Sequence, residues 1–217
     1  MNPLIIAVGV PLAIFGALTL LARPAEAPGR DLRREDLMRL PPGKWKLPPA
    51  VSTPRLRGAD PELVARLSAK WSEIFDEVPV SWLRSQSYAE SRNIPTAVNP
   101  NTGAAGVLQL LPVTAAWLVK SLRKSPYGAS PVVQDTLRSG WRGHPGDLLN
   151  PDVNVMLAAY YMLLLRRKFG DDHDLVAAAY NIGPSKIAYY LRTRRPFPQA
   201  SRIYLAMVRD AKLRGFT

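Results

Sequence analysis

Residues 88–112 read YAESRNIPTAVNPNTGAAGVLQLLP, a stretch with one glutamate near its start, two glycines and one glutamine. Apolar spacing upstream predicts a helix over residues 80–91, so that Glu90 falls at the end of this helix. A loop with two glycines, Gly103 and Gly106, follows, and Gln109 stands at the start of a short apolar run. A carboxylate, a glycine-containing loop and an amide so close in sequence indicate a polar cleft beside a helix end.

Glu90 is predicted to face the protein interior. Leu83, Ser87 and Glu90 share one stripe of the helix, because their spacings return to the same side at about 100° per residue. Pro95 lies just beyond, which places Glu90 near the helix C-terminus, where the helix dipole disfavours an anion. Burial and the dipole both raise the pKa of a carboxyl group, as a general acid requires. A solvated helix-end glutamate is the alternative that these residues leave open.

The loop after this helix has the composition of a tight turn next to a binding surface. Gly103 and Gly106 bracket two alanines, and glycine permits a close backbone approach that a larger side chain would obstruct. Gln109 offers a side-chain carbonyl and an amide, which suit hydrogen bonds to hydroxyl or acetamide groups.

A second corner occurs in AAAYNIGPSK, residues 177–186. This pattern predicts a helix end, a turn through Asn181 and Gly183, and a new helix that begins at Pro184. Tyr180 at this corner is either a core aromatic with a satisfied hydroxyl or a polar tip that points into a cleft.

The chain from residue 59 onward is predicted to be all-α. Asp60 and Pro61 provide the cap and first turn of the first helix, which extends to about Ile74. Neither strand alternation nor an internal repeat is evident, and the long basic segment 120–144 receives no assignment. Further helices are predicted over residues 80–91, 113–122, 154–169, 175–180, 185–191 and 200–213.

The N-terminal residues divide into two predicted parts that precede the domain at 59–217. Residues 3–22 carry no charge over 20 positions, which predicts a transmembrane helix and gives an anchor at 1–22. A cleaved signal peptide is the alternative, since residues 25–27 have a small-x-small pattern. Residues 23–58 contain seven prolines and nine Lys/Arg, a composition typical of an extended basic linker.

Composition excludes several kinds of site. The chain has 217 residues and no cysteine, which excludes disulfides, thiolate catalysis and cysteine-ligated metals. His144 and His173 fit no helical ligand spacing, so no metal site is predicted. The net charge of +12 favours a polyanionic partner: nucleic acid, anionic lipid or a carboxylate-bearing cell wall. Nucleic acid is disfavoured, because no reading motif accompanies the basic C-terminal stretch.

Taken together, these segments resemble the SLT-type lytic transglycosylases of bacteria and their phages, a family of helical, goose-lysozyme-like enzymes that cleave peptidoglycan. Glu90 and Ser91 match the ES pair of the family. Residues 103–109 match its GAxGLMQ segment with two substitutions, and residues 179–183 match its AYNAG turn with one. The resemblance covers roughly residues 63–191, and three motifs in order make it specific.

The resemblance implies a mechanism with one carboxylate, no metal and no cofactor. Glu90 would protonate the glycosidic oxygen between MurNAc and GlcNAc and then deprotonate the MurNAc C6 hydroxyl, which attacks C1 to form a 1,6-anhydro sugar. Gln199 and Ala200 stand where some members carry a further glutamate, so no second catalytic carboxylate is assigned. The implied substrate contacts are Ser91, Gln109, Leu111, Tyr180 and Asn181, and the implied structural glycines are Gly103, Gly106 and Gly183.

Two other functions and the cellular location stay open. A goose-type lysozyme would hydrolyse the same bond with water, and an inert membrane-anchored protein on this fold would bind glycan or nucleic acid without cleavage. Arg23, Arg30, Arg33 and Arg34 follow the predicted anchor and favour a cytoplasmic domain, although a wall-cleaving enzyme must reach the wall. Two arrangements would reconcile the arginines with access to the wall: ordinary export with the domain facing the cell wall, or inward insertion into a phage virion membrane.

Overall fold

The computed structural model describes Met38 and residues 58–214. The predicted membrane segment 3–22, and the linker 23–58 apart from Met38 and Gly58, lie outside the described residues. Met38 is buried and packs in the core of the domain, so the predicted linker contacts the domain at this point. In the part of the chain that is described, no helix combines the length and apolar character needed to cross a bilayer.

The described residues form an all-helical domain, as the sequence predicts. Strands are absent from residues 58–214, where only isolated bridges join Ala105 to Val98 and to Leu110. Short 3-10 turns occur at Pro126–Ala129 and Pro145–Leu149. The α-helices are α1 Pro61–Ile74, α2 Val80–Ser91, α3 Pro112–Lys124, α4 Pro131–Gly140, α5 Pro151–Phe169, α6 His173–Ile182, α7 Pro184–Thr193 and α8 Gln199–Leu213.

Helix α5 is the centre of the domain. It packs against α1, α3, α4 and α6, and most of its residues are buried. The Asn150 side chain caps its start by accepting hydrogen bonds from the Asp152 and Val153 amides, and Gly170 ends it with a φ of 79°. A helix that is apolar on nearly every side is stable only inside the protein, so α5 organises the helices around it.

Asp152, in the first turn of α5, ties two other helices to it. Its carboxylate accepts hydrogen bonds from Lys70 Nζ at 2.8 Å and Trp71 Nε1 at 2.7 Å, both on α1. Thr136 Oγ1 on α4 lies 3.4 Å from the same carboxylate. This cluster fixes α1 and α4 at the N-terminal end of α5, where the helix dipole also favours a negative charge.

Helix α2, which carries Glu90, is buried more completely than the predicted single stripe. It packs against α1, α5 and α8, and eight of its 12 residues are buried. Several of these are polar, so they require internal partners. Ser87 Oγ donates to Asn93 Oδ1 at 2.7 Å, for example. Burial on several sides leaves Glu90 few routes to solvent.

Segment 120–144, unassigned from the sequence, contains a helix. Its chain leaves α3, forms the 3-10 turn Pro126–Ala129 and enters α4. Val133, Thr136 and Leu137 are the buried residues of α4, and α4 packs against α5. The segment therefore supports the central helix from the side.

Candidate active site

Glu90 is the penultimate residue of α2 and is buried at 5% exposure. The helix ends immediately after it, because Arg92 adopts a left-handed conformation with a φ of 57°. Burial raises the pKa of the Glu90 carboxyl to about 8, and a hydrogen bond from Tyr204 acts in the opposite direction. The second carboxyl oxygen, Oε2, is buried and has no hydrogen-bond partner among the described residues. Glu90 is thus a carboxylic acid that keeps its proton near neutrality and has one oxygen left for a ligand.

Glu90 lies in the wall of a cavity that also receives residues from the loop after α2 and from the α6–α7 corner. Among the residues that line it, Glu90 is the only carboxylate. Hydroxyl, amide and apolar groups make up the rest, as is usual for sites that bind neutral polar ligands. The other lining residues are Thr102, Ala104, Gln109, Leu110, Leu111, Thr114, Tyr161, Tyr180, Asn181 and Gly183.

Asn154 of α5 holds the loop against the central helix. Its side-chain carbonyl accepts from the Leu108 amide at 2.8 Å, and its side-chain amide donates to the Ala105 carbonyl at 2.9 Å and to the Leu148 carbonyl at 3.1 Å. All three partners are backbone groups, and the Ala105 carbonyl also accepts from the Leu110 amide at 3.1 Å. One side chain therefore fixes the loop that faces Glu90.

The two loop glycines serve different purposes. A Cβ on Gly106 would come within 2.2 Å of both Asn154 Nδ2 and the Leu148 carbonyl, so the predicted close approach is confirmed there. At Gly103 the prediction of an obstructing neighbour is wrong, since nothing lies within 4 Å of a Cβ built on it. Gly103 instead supplies a φ of +72°.

Gln109 lies in the cavity wall with its amide already engaged. It adopts a φ of 46°, which is uncommon for a residue with a side chain. Its Nε2 donates to the Gly106 carbonyl at 2.8 Å and to the Ala97 carbonyl at 3.1 Å. The side-chain carbonyl oxygen is therefore the group of Gln109 that can accept a hydrogen bond from a ligand.

Tyr180 joins the α6–α7 corner to the loop. Its hydroxyl donates to the Leu108 carbonyl at 2.8 Å, and its ring packs 5.2 Å from the ring of Tyr161. Burial, and then the negative charges of Glu90 and Tyr161, hold the pKa of its hydroxyl well above the ordinary value. Asn181 and Gly183 line the same cavity, and Gly183 ends α6 with a φ of 92°. The structure combines the two fates left open for Tyr180: its hydroxyl is satisfied by the Leu108 carbonyl, and the residue also lines the cavity.

Ser91 is the one predicted contact residue that does not line the cavity. It is 1% exposed, and its hydroxyl donates to the Val107 carbonyl at 2.7 Å while accepting from the Ile94 amide at 3.1 Å. The hydroxyl thus links the end of α2 to the loop. Ser91 therefore holds the end of α2, next to Glu90, in position against the loop.

Sequence reasoning missed Tyr204, which approaches Glu90 from α8. The Tyr204 hydroxyl hydrogen-bonds to the Glu90 carboxyl and accepts from Gln86 Nε2 at 3.1 Å. Gln86 precedes Glu90 by one helical turn, so this chain of bonds closes on α2 itself. Tyr204 follows Gln199 by five residues, and its sequence neighbours give no sign of its bond to the distant helix α2.

Within residues 58–214, no group of three or more His, Cys, Asp or Glu side chains is arranged to hold a metal ion.

The known proteins to which this chain is similar in sequence include lytic murein transglycosylases from two bacteria. The chain is 29% identical over 115 residues to the soluble lytic murein transglycosylase of Escherichia coli K12, and 33% identical over 113 residues to the protein of the same name from Salmonella typhimurium. These alignments cover 53% and 49% of this chain, but the chain spans only 15% of the length of either relative.

Solved structures show the same fold. The 70 kDa soluble lytic transglycosylase of E. coli superposes with a TM-score of 0.51 at 26% identity, over 65% of this chain and 23% of that one. An inactive mutant of the lytic transglycosylase Slt from Pseudomonas aeruginosa gives a TM-score of 0.52 at 23% identity, over 68% of this chain and 23% of that one.

The sequence pattern of the family described as Transglycosylase SLT domain matches residues 73–202, a range that includes Glu90, the loop of Gly106 and the corner of Tyr180. This range is more than half of the 217 residues. The chain belongs to the transglycosylase SLT domain family.

Proposed function

We propose that this protein is a peptidoglycan lytic transglycosylase, which cleaves the β-1,4 bond between MurNAc and GlcNAc and leaves a 1,6-anhydroMurNAc end. The observation that carries the proposal is that Glu90 is buried and is the only acidic residue among those that line its cavity. Glycosidases that use water or a protein nucleophile ordinarily need two carboxylates that flank the scissile bond. A single carboxyl suffices when the substrate supplies the attacking hydroxyl.

The first step requires an acid that is still protonated near neutral pH. The pKa of Glu90, about 8, meets this requirement, and its unpartnered Oε2 is the atom that would donate to the glycosidic oxygen. As the proton moves to this oxygen, the bond between C1 and the oxygen breaks and positive charge develops on the MurNAc ring.

In the second step the carboxylate acts as the base. Glu90 takes the proton of the MurNAc C6 hydroxyl while the C6 oxygen bonds to C1, so the enzyme regains its acid and no water is consumed. We assign Gln109, Leu111, Tyr180 and Asn181 to contacts with the sugars on either side of this bond, because all four line the cavity with Glu90. Ser91 would act by positioning the helix end.

The test is a Glu90→Gln variant assayed on purified sacculi. We expect turnover to fall by about 10²–10⁴-fold, the usual contribution of a general acid, with the helical circular dichroism spectrum unchanged. Glu73→Gln is the matched control, because Glu73 is an exposed glutamate on α1. Sacculi lysed by the Glu90 variant at the wild-type rate would refute the assignment.

Mass spectrometry of the products separates the two chemistries. Anhydro ends without added water support the transglycosylase, whereas reducing ends would identify a goose-type lysozyme. A full-length chain that binds sacculi and releases no product would instead indicate an inert glycan-binding protein.

We further propose, from the sequence of residues 3–22, that the chain is anchored in a membrane with its domain toward the cell wall, either in a bacterial envelope or in a phage virion. The expected result is a protein that resists carbonate extraction and whose domain is cleaved by protease added to spheroplasts. Protection from protease there, together with detection in purified virions, would favour the phage alternative.

A further inference from the structure

Trp117 on α3 is exposed although it is among the most apolar side chains of the chain. Its exposed fraction is 53%, and that of Val113, one turn earlier on the same face, is 75%. Lys120, one turn later, is also exposed. Large apolar side chains grouped at the surface commonly mark a site of interaction.

This surface is continuous with the cavity of Glu90. Thr114, which lies between Val113 and Trp117 on α3, lines the cavity. The Trp117 ring lies 6.5 Å from the ring of Tyr161, which also lines the cavity and packs 5.2 Å from Tyr180. Three aromatic rings therefore lead from the catalytic cavity to the surface of α3.

The indole is displayed from a rigid support. The opposite side of α3 is buried through Ala115, Leu118, Val119 and Leu122, and Ser121 Oγ lies 3.0 Å from the Tyr160 hydroxyl of α5. The Trp117 and Tyr161 planes meet at 80°, so the two rings do not stack, and the Trp117 side chain stays 53% exposed. A flat aromatic face held open beside a saccharide-binding cavity suits the apolar face of a sugar ring.

We propose that Val113, Trp117 and Lys120 form an outer glycan platform, which binds sugar units of the same strand beyond those in contact with the cavity. The inference rests on the proposed function, because that function supplies a linear polymer long enough to leave the cavity and cross α3. Trp117 stacks on a sugar ring, and Lys120 attracts the carboxylates that peptidoglycan carries. The platform gives the enzyme a preference for long strands over short ones.

The test compares two peptide-free glycan strands of defined length, a tetrasaccharide and a strand of at least ten sugars, with the full chain in mild detergent. In Trp117→Ala we expect the ratio of kcat/KM for the long strand to that for the short strand to fall about tenfold, through KM. Trp117→Phe restores part of the ratio. Tyr189→Ala is the control, because Tyr189 is 39% exposed and packs against Tyr190 rather than against a cavity residue.

A binding measurement separates this proposal from the activity. The indole N–H resonance of Trp117 is assigned by its loss in Trp117→Phe and is followed in the Glu90→Gln variant as the long strand is added. A shift of this resonance supports the platform even if the wild type cleaves neither strand, in which case only the proposed function fails.

Two outcomes overturn the platform. The first is an unchanged long-to-short ratio in Trp117→Ala while the wild type cleaves both strands, or an indole resonance that does not move at saturating glycan. The second is a loss in Trp117→Ala of binding to anionic lipid vesicles, or of self-association, without a change in the ratio. That second result would assign the exposed face to a membrane or to another copy of the chain.

Discussion

Burial of Glu90 should make the protein less stable at neutral pH than it would be without the carboxyl group. The pKa of this group rises from 4.5 to about 8 on folding, chiefly because burial disfavours the anion. Between these two values the unfolded chain has released the proton and the folded chain keeps it. The contribution of Glu90 to the free energy of unfolding therefore falls as pH rises above about 4.5, and this loss levels off near pH 8.

The size of this destabilisation follows from the difference between the pKa of Glu90 in the unfolded chain and the pH of the measurement. Each pKa unit corresponds to about 1.4 kcal/mol, so the folded state at pH 7 carries a cost of about 3 kcal/mol from this one group. Glu90→Gln keeps the shape of the side chain but cannot ionise. We expect the variant to gain about 3 kcal/mol over the wild type when the pH is raised from 4 to 7. In a domain of this size, that gain corresponds to about 6–12 °C in Tm.

The assay is thermal unfolding of the full chain, followed by circular dichroism at several pH values between 4 and 7. Taking the change between two pH values removes the constant effect of burying an amide in place of a carboxyl. Glu73→Gln should run parallel to the wild type, since Glu73 lies at the surface of α1. Parallel curves for the wild type and Glu90→Gln would refute the reasoning, because they would mean that Glu90 ionises as it does in the unfolded chain.

Four further substitutions test other parts of the structure. Gly106→Ala should destabilise the fold by more than about 2 kcal/mol, because the new methyl group would clash with Asn154 and with the backbone. Gly103→Ala should destabilise it by only ~1 kcal/mol, the cost of placing a side chain at a positive φ. Equal losses of stability in urea unfolding would contradict this prediction. Tyr204→Phe removes a hydrogen bond that lowers the pKa of Glu90, so the basic limb of the kcat/KM profile should move to higher pH, and a limb that stays in place would exclude the bond. Burial lowers the pKa of His173 to about 4, so its NMR titration should have a midpoint near 4, and His173→Gln should gain stability relative to the wild type as pH falls from 6.5 to 4; a midpoint near 6.5 would show that the imidazole is solvated.

The sequence was sufficient to predict the helical class and the burial of Glu90, since both depend on local pattern. The start of α1 at Asp60 was predicted for the right reason, because its side chain accepts from the Leu63 amide at 2.9 Å. The apolar stripe on α2 was too narrow a description. A helix that contacts three others buries polar residues such as Gln86 as well, and periodicity assigns these to the surface.

What could not be predicted depends on contacts between distant segments. Asn154 bonds to a loop 46 residues earlier, and Tyr204 reaches Gln86 from 118 residues away. Nothing in the local sequence distinguishes these side chains from other polar residues on helices. Helix α4 was missed for a different reason: it buries only Val133, Thr136 and Leu137, and with a threonine among these three the apolar spacing is weak.

The hydrogen bonds that Asn154 makes to the loop have a consequence for how the site would bind a glycan strand under the proposed function. Because the loop opposite Glu90 is bonded to the central helix, its geometry is set when the domain folds. A bound strand then has no loop to order, and the entropy cost of binding falls mainly on the sugar chain. The loop of such a site is already in its binding conformation before the strand arrives. Local unfolding of this loop should be as rare as unfolding of the core itself.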